Sequence, residues 1–332
     1  MGSSQDSGSQ SGNTATVSAL VVTYLRPAEL ESCIESLLAQ TYPPAEVVVV
    51  DNAGGSDQET RDACERLKDR TRVTCLVNPE NSLTVARNLG VAECDGEFVL
   101  LVDDDVTLAP DYIEQMLEAV RADSKIVGIQ GHIAQGPRNR VRELLHTVFR
   151  LYHLEPNTCR VMRSISTTYA KNPVGSIKCA WISGSNQFYR REVLENVKWD
   201  EQMILYSDGE DLDHSARVDR AYPGGLRMVG SAAVHHHESA EGRLAEARFI
   251  LMREAYGYYL SHKLFPNSGA ARVVYAWSRV GISALTAARA VRIRSLSECR
   301  ATAIAFRHVL KNRSSLRSGD LGPTNNQLVK EI

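Results

Sequence analysis

The sequence predicts an α/β domain built on a doubly wound, mainly parallel sheet with a helical extension behind it. Short β-branched runs alternate with amphipathic helical stretches from Val17 to Val102, the pattern of a sheet with helices on both faces. Those runs are apolar without alternation, as in Glu46-Val47-Val48-Val49-Val50-Asp51 and Phe98-Val99-Leu100-Leu101-Val102. Strands covered on both sides read this way. Beyond Leu244 the β-branched runs stop, and alanine- and arginine-rich helical sequence continues to Asn312.

The elements follow in order. Residues 1–15 are rich in Ser, Gly and Gln and are expected to be a disordered tail. Val17 to Thr23 is the first strand. Pro27 opens a helix with Leu30, Ile34, Leu37 and Leu38 on one face, stopped before Pro43-Pro44. Glu46 to Asp51 is the second strand, Gln58 to Lys68 a charged helix and Val73 to Val77 the third strand. Val85 to Val91 begins a further helix, and Phe98 to Val102 is the fourth strand. A helix over Tyr112 to Val120 and a strand over Ile126 to Gly131 come next. Gly136 to Gly175 is basic and mixed and carries no assignable element, so a functional loop region is expected there. Ala180 to Tyr189 reads as strand and turn, Arg191 to Asn196 as a short helix, Gly209 to Ala221 as a helix and Arg227 to Val234 as the last strand. The expected division is a body over residues 16–242, a basic helical extension over 243–313 and a disordered tail over 314–332.

Polar residues collect where the strands end. Thr23-Tyr24, Asp51-Asn52 and Asp103-Asp104-Asp105 all fall at the carboxyl edge of the sheet, where ligands of open α/β sheets bind. The last group is a buried strand running into three carboxylates, charge that requires a cation to be tolerable. Oxygen ligands in that number suit Mg²⁺ or Mn²⁺, and such an ion typically carries a diphosphate. No Gly-x-Gly-x-x-Gly follows the first strand, which argues against a dinucleotide-binding domain.

Composition bounds the rest. Apolar residues make up 43% and charged residues 23% of the 332, as in an ordinary globular protein. The formal charge of −2 is uneven: residues 243–317 carry 14 Lys/Arg against three Glu, a net +11 that leaves −13 elsewhere. This suggests an acidic metal-binding body and a basic segment facing something anionic. Cysteines 33, 64, 75, 94, 159, 179 and 299 form no Cys-x-x-Cys pair and read as reduced residues. The longest apolar stretch, Val273 to Val291, is broken by Arg279 and Arg289, short of a membrane span. The first residues lack the apolar core of a leader. A cytoplasmic protein is expected, at most peripheral on the cytoplasmic face of a membrane. The basic segment suits either an anionic membrane surface or packing against the body or a second copy of the chain. No recognised nucleic-acid module is present.

Six motifs in order then carry a resemblance: Val22-Thr23-Tyr24, Val50-Asp51-Asn52, Ala86-Arg87-Asn88-Leu89-Gly90, Asp103-Asp104-Asp105, Trp181-Ile182-Ser183-Gly184-Ser185-Asn186 and Gly209-Glu210-Asp211. Together they resemble the family 2 glycosyltransferases of GT-A fold, including rhamnosyltransferase-like members, over residues 17–240. The resemblance implies an inverting, metal-dependent transfer from a nucleotide-diphosphate sugar, UDP- or dTDP-linked, to a hydroxyl of a glycan or lipid-linked acceptor. It implies that Thr23 and Tyr24 contact the nucleobase and that Asp51 reads the base or ribose. Arg87, at a helix start, would face phosphate or a base carbonyl. Asp103 would hold ribose or lie behind the metal, Asp104 fills the variable middle position, and Asp105 would bind Mn²⁺ or Mg²⁺ directly. After the last strand the family often supplies one more ligand. In extended backbone residues 235 and 237 share a face, so His235 is favoured, with His237 close behind. Asp211 is expected to be the base, with Glu210 the fallback. Gly184 and Ser185 would admit the donor sugar, Asn186 would bond its hydroxyls, and Trp181 would stack on a sugar face.

Two rival readings share this pattern. Asp103, Asp105 and Thr107 fit the Asp-x-Asp-x-Thr opening of haloacid-dehalogenase-like phosphatases, but that motif normally sits on the first strand, and here three strand-helix units precede it. A nucleotidyltransferase would place a glycine-rich basic loop after the first strand, which Thr23-Tyr24-Leu25-Arg26-Pro27 does not resemble. A sugar-nucleotide sensor without catalysis would need the metal site but no base.

Overall fold

The computed structural model describes residues 15–134, 136, 139–237 and 244–330. The expected N-terminal tail lies outside the described residues apart from Ala15, whose carbonyl accepts from the Tyr42 hydroxyl. The body begins β1 (Val17–Thr23), α1 (Pro27–Leu38), β2 (Glu46–Asp51), α2 (Gln58–Leu67), β3 (Val73–Val77), α3 (Leu83–Glu93) and β4 (Phe98–Asp103). It continues through β5 (Val106–Leu108), α4 (Tyr112–Ala122), β6 (Gly128–Ile133), α5 (Arg140–Val148), β7 (His153–Pro156), β8 (Thr168–Lys171), β9 (Ser176–Cys179) and β10 (Asn186–Arg190). Then come α6 (Arg191–Asn196), α7 (Glu210–Ala221) and β11 (Leu226–His236). The extension comprises α8 (Glu246–Leu264), α9 (Gly269–Ile293), α10 (Ser297–Lys311), α11 (Arg313–Ser318) and α12 (Gly322–Lys330).

The main sheet has the order β3-β2-β1-β4-β10-β6-β11-β5, with β9 beside β11. Strands β3, β2, β1 and β4 are mutually parallel. β10 runs against β4 and β6. That one reversal matters for the site, because the start of an antiparallel strand lies at the carboxyl ends of its parallel neighbours. Ser183-Gly184-Ser185, which precede β10, are thereby brought to the edge where β1 and β4 end. The Ser185 carbonyl accepts from the Asp103 amide at 3.3 Å.

Each face of the sheet carries its own core, which is why the strands are apolar at every position. Ala19, Val21, Val47, Val49, Leu100 and Val102 pack against α1, α2 and α4. Leu20, Val48, Val50, Val99 and Leu101 pack with α3, α6, α7 and the first extension helix. The extension is thus continuous with the body. Tyr256 of α8 accepts from the Ile204 amide at 3.1 Å, and Lys263 reaches Asp213 of α7 at 2.9 Å.

Two sequence expectations are corrected. The stretch 136–175 contains α5 and a two-stranded parallel sheet of β7 and β8. Its sequence hid this because α5 buries none of its residues and its strands are only four residues long. Residues 314–330, expected to be disordered, form α11 and α12, with Leu316, Leu321 and Leu328 buried. Three widely spaced leucines make no helical stripe by themselves. They order because α8 supplies the apolar partner and Arg248 bonds the Leu328 carbonyl at 2.6 Å. Among the described residues no helix is long and apolar enough to cross a membrane.

Candidate active site

β4 delivers Asp103 at its last position, and Asp104 and Asp105 turn the chain into β5. The turn is held from β1. Thr23 Oγ1 donates to Asp104 at 2.8 Å, and Arg26 bonds Asp104 at 3.1 Å and Asp105 at 3.4 Å. β5 then pairs antiparallel with the end of β11, placing His236 opposite Val106. The result is His236 Nε2 at 3.1 Å from Asp105 Oδ1. Asp103, Asp105 and His236 offer one ligand atom each, all within 4.8 Å of one another. Two carboxylates and an imidazole form a donor set that can hold a divalent ion such as Mn²⁺.

This corrects the choice of His235 and His237. Both are exposed, and His237 Nε2 lies 3.0 Å from Thr107 Oγ1 on the strand's outer side. Ala232 and Val234 are buried at alternate positions, and residue 236 continues that face.

Arg87, in the first turns of α3, is buried and spent on protein groups. It pairs with Glu210, lies 3.4 Å from Asp103, bonds the Gly184 carbonyl at 3.1 Å and sits 5.7 Å from the Trp199 ring. It lines the cleft described below, and its ion pair with Glu210 ties α3 to α7. Gly184 is required by this packing: a Cβ there would meet Glu210 Oε1 at 2.9 Å and Arg87 Nη2 at 3.1 Å. Arg87→Met should destabilise the fold by about 3–5 kcal/mol, because it strands the buried Glu210 charge. Chemical denaturation would show this, and adding Glu210→Gln should restore part of the loss.

Asp211 sits in the first turn of α7, after Gly209 has entered the helix with a left-handed φ of 88°. Its carboxylate accepts from the Gly184 amide at 3.0 Å and the Leu212 amide at 2.7 Å. Burial pushes its pKa above the ordinary aspartate value, against the pull of those two amides and Arg87. Burial also raises Asp104 and Asp208, each to about 6, with Arg26 and Arg253 respectively opposing. Clustered carboxylates driven upward in this way mark a cleft that favours an added positive charge.

The cleft holds about 310 Å³ and opens between Thr23, Tyr24, Asp103, Ser185, Glu210 and His236. A second cavity of about 790 Å³ lies beyond α7. Asp208, Gly209 and Asp211 line both. Arg26 and Asp208 were not singled out from the sequence. Arg26 looked like part of a helix start, and Asp208 stood one residue outside the motif.

The remaining expected residues divide. Tyr24, Gly184 and Ser185 face the cleft. Asp51 is buried behind it: Oδ1 accepts from the Ala53 amide at 2.8 Å, while Oδ2 has no hydrogen-bond partner. Asn186 is fully buried and does not reach the cleft. Its Oδ1 accepts from Tyr112 Oη at 3.1 Å and the Gly131 amide at 2.8 Å, which corrects its assignment to sugar hydroxyls. Trp181 packs edge-on against Tyr169 and lines the second cavity, so it is on the far side of Asp211 from the acidic turn.

The family model for glycosyl transferase family 2 matches residues 18–198. The glycosyltransferase GlyA of Streptococcus pneumoniae is 31% identical over 121 residues, 36% of this chain and 16% of that protein. The chain spans less than half the length of the curated relatives it matches. Among solved structures, GalNAc-T7 with UDP, GalNAc and Mn²⁺ is similar at a TM-score of 0.56 and 16% identity, over 81% of this chain and 55% of that one. The mannosyltransferase PcManGT from Pyrobaculum calidifontis, in complex with GDP-Man and Mn²⁺, gives 0.52 at 17% identity, over 96% of this chain and 88% of that one. The phosphatase and nucleotidyltransferase readings fall with this match, which covers β1 to α6. The chain belongs to glycosyl transferase family 2 and has the GT-A fold.

Proposed function

We propose that this enzyme is an inverting glycosyltransferase acting on a nucleotide-diphosphate sugar, with UDP- and dTDP-sugars (dTDP-rhamnose among them) the favoured donors. The observation that carries the reading is the junction at Asp208, Gly209 and Asp211, shared by the acidic cleft and the second cavity. The cleft takes the donor and the second cavity the acceptor, a glycan or a lipid-linked glycan. Asp103, Asp105 and His236 are the residues that would hold Mn²⁺ or Mg²⁺. When bound, the ion offsets the charge of the departing diphosphate.

Asp211 takes the proton of the acceptor hydroxyl. The hydroxyl oxygen forms its bond to the anomeric carbon as the bond from that carbon to the diphosphate oxygen breaks. The electron pair leaves with the nucleoside diphosphate, and attack from the opposite side inverts the centre. Asp211 is supported over Glu210 because Glu210 lines the cleft alone and is held by Arg87. The Tyr24 ring and the unpartnered Asp51 Oδ2 suit the nucleobase end, given modest local adjustment. The basic extension is compatible with an anionic membrane surface: Val273, Trp277, Val280 and Val291 are exposed along one stripe of α9.

Calorimetric titration of UDP, dTDP, GDP and CMP, with and without Mn²⁺, tests the donor site. One nucleoside diphosphate should bind in the presence of metal and lose that binding without it. Uniform binding of all four, or binding indifferent to metal, sinks the reading of the acidic cleft.

A further inference from the structure

The second cavity is walled largely by segments beyond the matched family region or in its irregular part, namely α5, α7, α8 and α9. Arg253 and Arg279 line its inner end beside Asp208, and Glu254 pairs with both, at 2.9 and 3.1 Å. Further along α9, Arg289 and Arg292 line the cavity, and α5 adds Arg142 and His146. Glu298 pairs with Arg289 at 3.0 Å. Arg142 and Arg292 make no ion pair among the described residues, so this outer end holds an excess of positive charge that hydroxyl groups would not require.

We infer that the acceptor is an anionic glycan whose phosphate group sits on Arg142, Arg289 and Arg292 while its hydroxyl reaches Asp211. The inference rests on the donor and acceptor assignment above. Guanidinium forks match the oxygens of phosphate and of carboxylate in two-point hydrogen bonding, and three arginines at one end of the cavity suit the higher charge of a phosphate. Arg279, beside Asp208, and Arg289 are ten residues apart on one helix, or about 15 Å at 1.5 Å per residue. A separation of that size exceeds one sugar ring, so the phosphate lies beyond a chain of sugars and not on the sugar that is extended. The same chemistry comes from a lipid-linked glycan phosphate or from a soluble phosphoglycan.

The test titrates dodecyl phosphate, inorganic phosphate and dodecyl maltoside into protein whose acidic cleft is saturated with Mn²⁺ and its preferred nucleoside diphosphate. Dodecyl phosphate should bind, dodecyl maltoside should bind at least tenfold more weakly, and the Arg142→Ala/Arg292→Ala double variant should lose tenfold or more toward dodecyl phosphate. Both arginines are exposed, and thermal melts should confirm that the variant folds. Inorganic phosphate as tight as dodecyl phosphate, with the same arginine dependence, supports the seat and assigns it to soluble phosphoglycans; weaker inorganic phosphate assigns it to a lipid-linked acceptor. Equal binding of dodecyl phosphate and dodecyl maltoside, or no effect of the double variant, overturns the inference. If nucleotide binding to the cleft persists in that case, only the acceptor class has failed. If wild type binds no nucleoside diphosphate with metal, the donor reading beneath it has failed instead.

Discussion

Asp211→Asn lowers kcat by about 10²–10⁴-fold, the range that a positioned general base contributes, while metal-dependent binding of the nucleoside diphosphate stays within about twofold. The Gly184 amide bonds Oδ2 at 3.0 Å and the Leu212 amide Oδ1 at 2.7 Å; asparagine keeps one of these two acceptors, so thermal melts should accompany the kinetics to show that the helix start survives. The wild-type profile adds a pH criterion. A base works deprotonated, and burial raises the pKa of Asp211 above the ordinary value. Activity must therefore fall as pH drops through that raised value, and the acidic limb should lie above the pKa of about 3.9 of a free aspartate. Asp211→Asn should remove that limb from its residual rate. Unchanged kcat in the variant would mean that a different group is the base. Glu210→Gln, by contrast, should act chiefly on stability through the loss of its Arg87 partner.

His236→Ala weakens metal-dependent nucleoside diphosphate binding by at least 10–100-fold, the loss already seen when groups merely supporting a metal ligand are removed. Asp105→Ala should do at least as much. His235→Ala and His237→Ala should each stay within about twofold of wild type, because neither side chain faces the acidic turn. The comparison is sharp because three consecutive residues of one type differ only in which side of β11 they occupy. Titration of Mn²⁺ into each variant, followed by nucleotide binding, reads the difference directly. Equal losses in all three histidine variants would mean a general disturbance of the β5–β11 pairing, and a loss confined to His235 would overturn the assignment.

The fold class, the order of strands and helices up to β4, and the clustering of Thr23, Asp51 and Asp103–Asp105 at one edge were legible in the sequence. Each is local. Continuous β-branched runs report burial on both faces, Pro27 marks a helix start, and parallel strands joined by helices must end on the same side. The tertiary structure decided what depends on partners distant in the chain. It chose His236 over its neighbours through the pairing of β11 with β5, which sequence parity narrows to a face without naming the inward one. It paired Arg87 with Glu210, 123 residues away. It turned Asn186 into a brace for Tyr112 and Gly131 because β10 runs antiparallel between β4 and β6. It also folded residues 313–330 against α8, where buried leucines find an apolar surface that their own segment does not contain. A sequence pattern records which side of an element prefers burial; the identity of what lies across from that side is a property of the assembled chain.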